Sequence, residues 1–99
     1  MKNILQHINK LFDHRVRLGI MSALMVNDYV DFNTLKELLG VTDGNLASHI
    51  KALEKVAYLT IHKEFKGKKP HTKYKVTKLG STEFKKHISA LEKIIKNQT

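Results

Sequence analysis

The chain has 99 residues and no cysteine, which fits one domain, 1–99, and rules out disulfides and thiolate-held metals. No apolar run is long enough to cross a bilayer and the first residues carry no secretory-signal pattern, so a cytoplasmic protein is expected. Eighteen Lys and Arg against nine Asp and Glu give a net charge of +9, of which +8 falls in residues 41–99 and only +1 in residues 1–40. A one-sided field of that size suits a polyanionic partner.

Ile4, Leu5, Ile8, Leu11 and Phe12 recur at helical spacing and predict a first helix over 3–12. Val16, Ile20, Met21, Leu24 and Met25 mark the apolar face of a second, over 14–26. The short run Tyr29 to Phe32 is β-prone. Asn33 or Thr34 then offers an N-cap, Thr34 with Glu37 fits a capping box, and Leu35, Leu38 and Leu39 form a stripe to be buried. Gly40 stands where a helix-ending glycine belongs. Thr42 caps a further helix, whose positive end Asp43 suits. That helix runs to about Ala57 with Leu46, Ile50 and Leu53 inward. Two helices parted only by Gly40, Val41 and Thr42 make a helix-turn-helix.

After Tyr58 the apolar period falls from 3.6 to 2. Leu59, Ile61 and Phe65 alternate with Thr60, His62 and Glu64, and Tyr74 and Val76 alternate with Lys73, Lys75 and Thr77. Residues 66–71, with Gly67 and Pro70, read as the loop of a β-hairpin. The last segment, about 79–97, returns to helix, with Phe84, Ile88, Leu91 and Ile95 in a coiled-coil-like seam. The expected fold is mainly α with a small hairpin (α+β), in the order α-α-(β)-α-α-β-β-α. This is a winged helix-turn-helix, with the hairpin as its wing.

With Leu46 set inward, about 100° per residue turns Gly44, Ser48, Lys51 and Lys55 outward and leaves Asn45 on a flank. Glycine inside a helix costs about 1 kcal/mol relative to alanine, and at Gly44 it lets the first turn, with Thr42 and Asp43, come close to a phosphate backbone. Asn45, Ser48 and Lys51 have the reach and chemistry for base edges in a major groove. The competing reading of this face is plain solvation. His49 sits at the edge of the inward face; it either bonds within its own fold or contacts nucleic acid. From Lys63 to Lys78 there are seven lysines and one glutamate. Lys66, Lys68, Lys69 and Lys73, with His71, cluster toward the hairpin tip, more charge than protecting a strand edge requires. A backbone or minor-groove contact follows. The stripes Ile4, Leu5, Ile8, Leu11, Phe12 and Phe84, Ile88, Leu91, Ile95 exceed the needs of one small core and predict a symmetric homodimer.

The runs 41–59 (VTDGNLASHIKALEKVAYL) and 62–80 (HKEFKGKKPHTKYKVTKLG) closely resemble the small winged-helix regulators related to the MarR and ArsR groups. Their pattern Leu-Thr-Asp-Gly-Asn-Leu-x-x-His-Leu-x-x-Leu-Glu falls on Val41 to Glu54, and their Leu-Thr-x-x-Gly turn on Val76, Thr77 and Gly80. Residues 17–24 and 30–40 also fit. The resemblance implies a dimeric regulator of transcription, a repressor by expectation, that binds double-stranded DNA. Three positions depart from the pattern. Ala57 replaces the usual glycine before the wing, where a positive φ would strain it. Ser81 stands where arginine is frequent, and the wing uses lysine where relatives use arginine, which disfavours bidentate readout.

No phosphate-binding glycine loop, nucleophile elbow or zinc-protease motif is present, so an enzyme is not expected. The six histidines, at 7, 14, 49, 62, 71 and 87, form no close ligand pair. Glu83 and His87, four apart, read as a solvated helical pair rather than half of a metal site. No metal, cofactor or membrane partner is expected. The alternative function is a winged-helix protein–protein module, which has no need of so basic a hairpin. RNA ranks behind both, for want of an aromatic stacking platform.

Overall fold

A computed structural model describes residues 5–97. A single 3₁₀ turn, Lys10–Phe12, leads into α1 (Arg15–Met25), β1 (Val30–Asp31), α2 (Phe32–Leu39), α3 (Asp43–Lys55), β2 (Leu59–Lys66), β3 (Lys69–Val76) and α4 (Lys78–Asn97). The strands form one antiparallel sheet in the order β1-β3-β2. This is the expected α+β winged helix-turn-helix. Val16, Ile20 and Leu24 of α1, Leu35 of α2, and Leu46, Ile50 and Leu53 of α3 meet Leu59 and Tyr74 of the sheet in the core. No described helix is long and apolar enough to cross a membrane.

The N-terminal segment differs from the expected helix over 3–12. Ile4 lies outside the described residues, and Leu5 to Phe12 make only turns. The cause is Asn9, held extended at φ −88°, ψ 117°. Its backbone N–H donates to His87 Nδ1 at 3.1 Å and its side-chain amide donates to the Tyr58 hydroxyl at 3.0 Å. An asparagine so tied cannot continue a helix. His87 is therefore buried, not half of a solvated pair with Glu83. Burial also pushes its pKa below the ordinary imidazole value.

The cap expected for the third helix also moves. Asp31, not Asn33 or Thr34, caps α2, its carboxylate accepting from the Thr34 amide at 2.7 Å. That bond holds the Asp31 pKa down. Phe32 becomes the first helical residue, so β1 is only two residues long. Leu38 is 65% exposed, not buried, because an eight-residue helix turns only Leu35 fully inward and Leu39 in part. Gly40 ends α2 at φ 63° as expected, and Thr42 caps α3 by accepting from the Asn45 amide.

Helix α3 stops at Lys55 rather than Ala57. Ala57 lies at φ 61°, with its N–H on the Glu54 carbonyl and the Tyr58 N–H on that of Leu53. This is a Schellman ending with alanine at the position that favours glycine. A left-handed conformation costs a residue with a Cβ about 1–2 kcal/mol, and glycine's looser unfolded chain returns about 0.4–1 kcal/mol of that. Ala57→Gly is therefore expected to stabilise the fold by about 1 kcal/mol, raising Tm by several degrees at fixed protein concentration. A calorimetric midpoint that is unchanged or lower would refute the strain.

The Val76-Thr77-x-x-Gly80 pattern finds its physical reason here. Thr77 accepts from the Gly80 amide at 2.9 Å, capping α4, and donates its hydroxyl to the Ala57 carbonyl at 2.6 Å. A Cβ at Gly80 would run into the Tyr58 carbonyl, which already accepts the Thr77 N–H. The missing side chain lets α4 start directly against the base of the wing.

Candidate nucleic-acid interface

The exposed side of α3 is the one expected from helical geometry. Thr42, Asp43, Gly44, Asn45, Ser48, Lys51 and Lys55 are all exposed, while Leu46, Ile50 and Leu53 are buried beneath them. The position of an absent Cβ at Gly44 is open space. Asp43 is drawn to Lys36 at 2.7 Å, a link between α2 and the start of α3. Asn45, Ser48 and Lys51 remain as neutral and cationic hydrogen-bonding side chains on one accessible stripe.

His49 is half-buried and bonded within the fold. The Arg17 guanidinium Nε–H donates to its Nδ1 at 3.0 Å, and its ring lies 4.0 Å from that of His14. Burial first, then the neighbouring His14 and Arg17 side chains, push its pKa down. The ring is neutral at pH 7, and an occupied Nδ1 acceptor leaves the proton on Nε2. Arg17 escaped the sequence reading. Its only trace there was its place at the first turns of a helix packed against α3.

The wing is longer and tighter than expected. Residues 66–71 are not a loop: Lys66 pairs with Lys69 and Phe65 with Pro70, leaving Gly67 and Lys68 as a two-residue turn. Gly67 supplies the positive φ, 65°, that such a turn requires. Pleating sends alternate residues to opposite faces. Lys63, Phe65, Pro70 and Thr72 share the face of Ile61 and Tyr74, toward α3. Lys66, Lys69, His71, Lys73 and Lys75 share the other. Lys63 and Lys51 line one hollow between α3 and the sheet, with Glu54 and Ala47. Lys63 was not singled out from sequence, although its two-residue spacing from Ile61 carries the information.

The outward face is partly engaged already. The Lys73 ammonium sits 3.5 Å from Glu64 and 4.2 Å above the Tyr29 ring. His71 lies 3.6 Å from Asp31, the cap of α2. Lys66, Lys68 and Lys69 are exposed, and among the described residues no ion pair within 4.0 Å holds them.

The terminal stripes divide in two. Phe12 and Phe84 belong to the protomer's own core, rings edge to face at 5.2 Å. Ile8 and Leu11 are half-buried and Leu5 is exposed. On α4, Ile88, Leu91 and Ile95 are 40%, 38% and 69% exposed. Beyond Ala90 no described residue of α4 is buried.

A family model described as a winged helix DNA-binding domain matches residues 16–95. The chain belongs to that family. An uncharacterised protein of Methanocaldococcus jannaschii is 36% identical over 88 residues, covering 89% of this chain and 96% of that protein. The structure of a transcriptional regulator homologue from Pyrococcus horikoshii OT3 superposes with a TM-score of 0.85 at 30% identity, covering 96% of this chain and 92% of that one. A MarR-family protein of Enterococcus faecalis V583 shares the fold at a TM-score of 0.73 and 19% identity, over 96% of this chain and 84% of that one. In this winged-helix domain the matched span runs from the first buried residue of α1 to the exposed end of α4. It therefore takes in the helix-turn-helix, the wing and the helix that follows.

Proposed function

We propose that residues 1–99 form one domain that binds double-stranded DNA sequence-specifically as a homodimer and regulates transcription. The observation that carries this reading is the accessible stripe Asn45, Ser48 and Lys51 beside a projecting hairpin rich in lysine. The stripe has base-reading chemistry and the hairpin has backbone-neutralising chemistry. The chain is read as a cytoplasmic binding protein, not an enzyme. It acts by occupying its site, which represses where that site overlaps a promoter. Selection of bound sequences from random duplexes tests the reading. A palindromic consensus is expected, its half-sites about one helical turn apart. No enrichment over unselected duplexes would overturn it.

The partner in the dimer is a second copy, seated on the exposed seam of α4. Twenty residues of helix span about 30 Å, and beyond Ala90 no described residue of it is buried. Ile88 also borders an apolar groove with Met25 and Val26 of the α1 end. Replacing Ile88 and Leu91 together by glutamate is expected to give monomers in sedimentation velocity. Loss of the second binding event should weaken duplex affinity by about 10²–10⁴-fold. A parent protein that sediments as a monomer at micromolar concentration and still binds tightly would end the dimer reading.

A further inference from the structure

Phe65 is 74% exposed at the end of β2, opposite Pro70. From Lys63 outward every residue of β2 is exposed, and among the described residues no aromatic ring lies against Phe65. The hairpin nonetheless gives it a fixed cross-strand neighbour. A two-residue turn makes Lys66 and Lys69 the hydrogen-bonded pair, so Phe65 and Pro70 form the next, non-hydrogen-bonded pair, in which facing side chains stand closest. Proline there fixes its own backbone and presents an apolar ring beside the phenyl group. The pair lies on the sheet face turned toward α3.

Lysines surround this apolar tip: Lys63, Lys66, Lys68 and Lys69, all exposed and, among the described residues, outside any ion pair. An apolar protein partner or a second copy would have no use for four cations around one phenyl ring. A duplex flanked by phosphates does. A minor groove about 6 Å across is too narrow for the whole two-stranded ribbon but admits side chains projecting from its tip.

We propose that Phe65 and Pro70 form an apolar wedge that enters the minor groove beside the site read by α3 and partly unstacks a base step there. The proposal rests on the reading of the chain as a duplex-binding domain. Pyrimidine–purine steps unstack most easily and A-tracts resist. The wedge therefore gives the wing a preference for deformable flanks that its lysines cannot supply.

The test uses the full chain and two duplexes, identical at the selected half-sites but carrying either TA steps or A-tracts at the wing positions. Phe65→Ala is expected to lose about 5–20-fold in affinity on the TA duplex and less than 2-fold on the A-tract. The slope of log K against log salt should not change, because no charge is removed. A 2-aminopurine placed at the TA step should brighten with the parent and with Phe65→Leu, but not with Phe65→Ala. Equal binding of both duplexes by parent and Phe65→Ala would overturn the wedge while leaving the duplex reading intact. So would loss, on Phe65→Ala, of self-association or of binding to anionic vesicles in place of loss of flank preference. A parent that binds no duplex at any salt would overturn the duplex reading, and the wedge with it.

Discussion

Replacing Lys63, Lys66, Lys68 and Lys69 by glutamine should flatten the dependence of log K on log salt by about 3–6 units for the dimer. Each phosphate neutralised on B-DNA contributes a slope of about 0.9 through counterion release, and eight lysines engaged part of the time give that range. At physiological salt the loss amounts to roughly 10³-fold on any duplex. The set follows from geometry. Lys73 is omitted because Glu64 and the Tyr29 ring already hold it. Lys63 is included because it faces the hollow it shares with Lys51. Lysine is a flexible point charge suited to phosphate rather than to a fixed base pattern, so the ratio of specific to scrambled affinity should stay nearly constant. Fold stability should hardly move, since the four cations repel one another and support no core. Salt titrations of parent and quadruple mutant on a specific and a scrambled duplex check this. An unchanged slope would place the wing off the DNA, and a collapsed ratio would make the lysines readers of sequence.

The complementary result concerns Asn45, Ser48 and Lys51. Alanine at all three should cost about 1–3 kcal/mol of discrimination for each lost bidentate base contact. Both subunits contribute, so the preferred site's advantage should fall by several orders of magnitude. Binding to scrambled duplexes should change far less, by the single charge of Lys51 in each subunit. The side chains are exposed and alanine is a better helix former than asparagine or serine, so the melting temperature should hold or rise slightly. Competition binding with the selected site against its scramble measures the ratio. A preserved advantage would mean that another face of the domain reads the sequence.

The helix-turn-helix was legible in the sequence because Leu46, Ile50, Leu53 and the punctuation of Gly40 and Thr42 are local, and local chemistry decided the end of α2 and the start of α3. The wing was legible as a hairpin but not in its extent. Pro70 suggested a loop, yet it sits where β3 lacks a second neighbour: β1 pairs only with Lys73 and Tyr74. The N-terminal helix failed for a reason no window of sequence contains. The partners of Asn9 are Tyr58 and His87, 49 and 78 residues away. The cap of α2 was misplaced by three residues or fewer because Asp31, Asn33 and Thr34 are all competent caps and only the pairing of β1 selects among them. Spacing found the terminal apolar stripes but could not divide them. Phe12 turned inward because three aromatic side chains from two distant segments, Tyr58 before β2 and Phe84 and His87 of α4, meet it.

That last arrangement bears on how the chain is made. Phe12 leaves the ribosome well ahead of the residues that cover it and is fully enclosed in the finished protein. The rings that enclose it, Tyr58, Phe84 and His87, stand 5.4, 5.2 and 5.2 Å away. Two of these come from α4. The helix-turn-helix and the hairpin can form from contacts close in sequence, and such contacts form early and fast. The pocket for Phe12 cannot close until His87 has been synthesised and released from the exit tunnel. Until then a phenyl group and the floor of its pocket stay open to water and to other nascent chains.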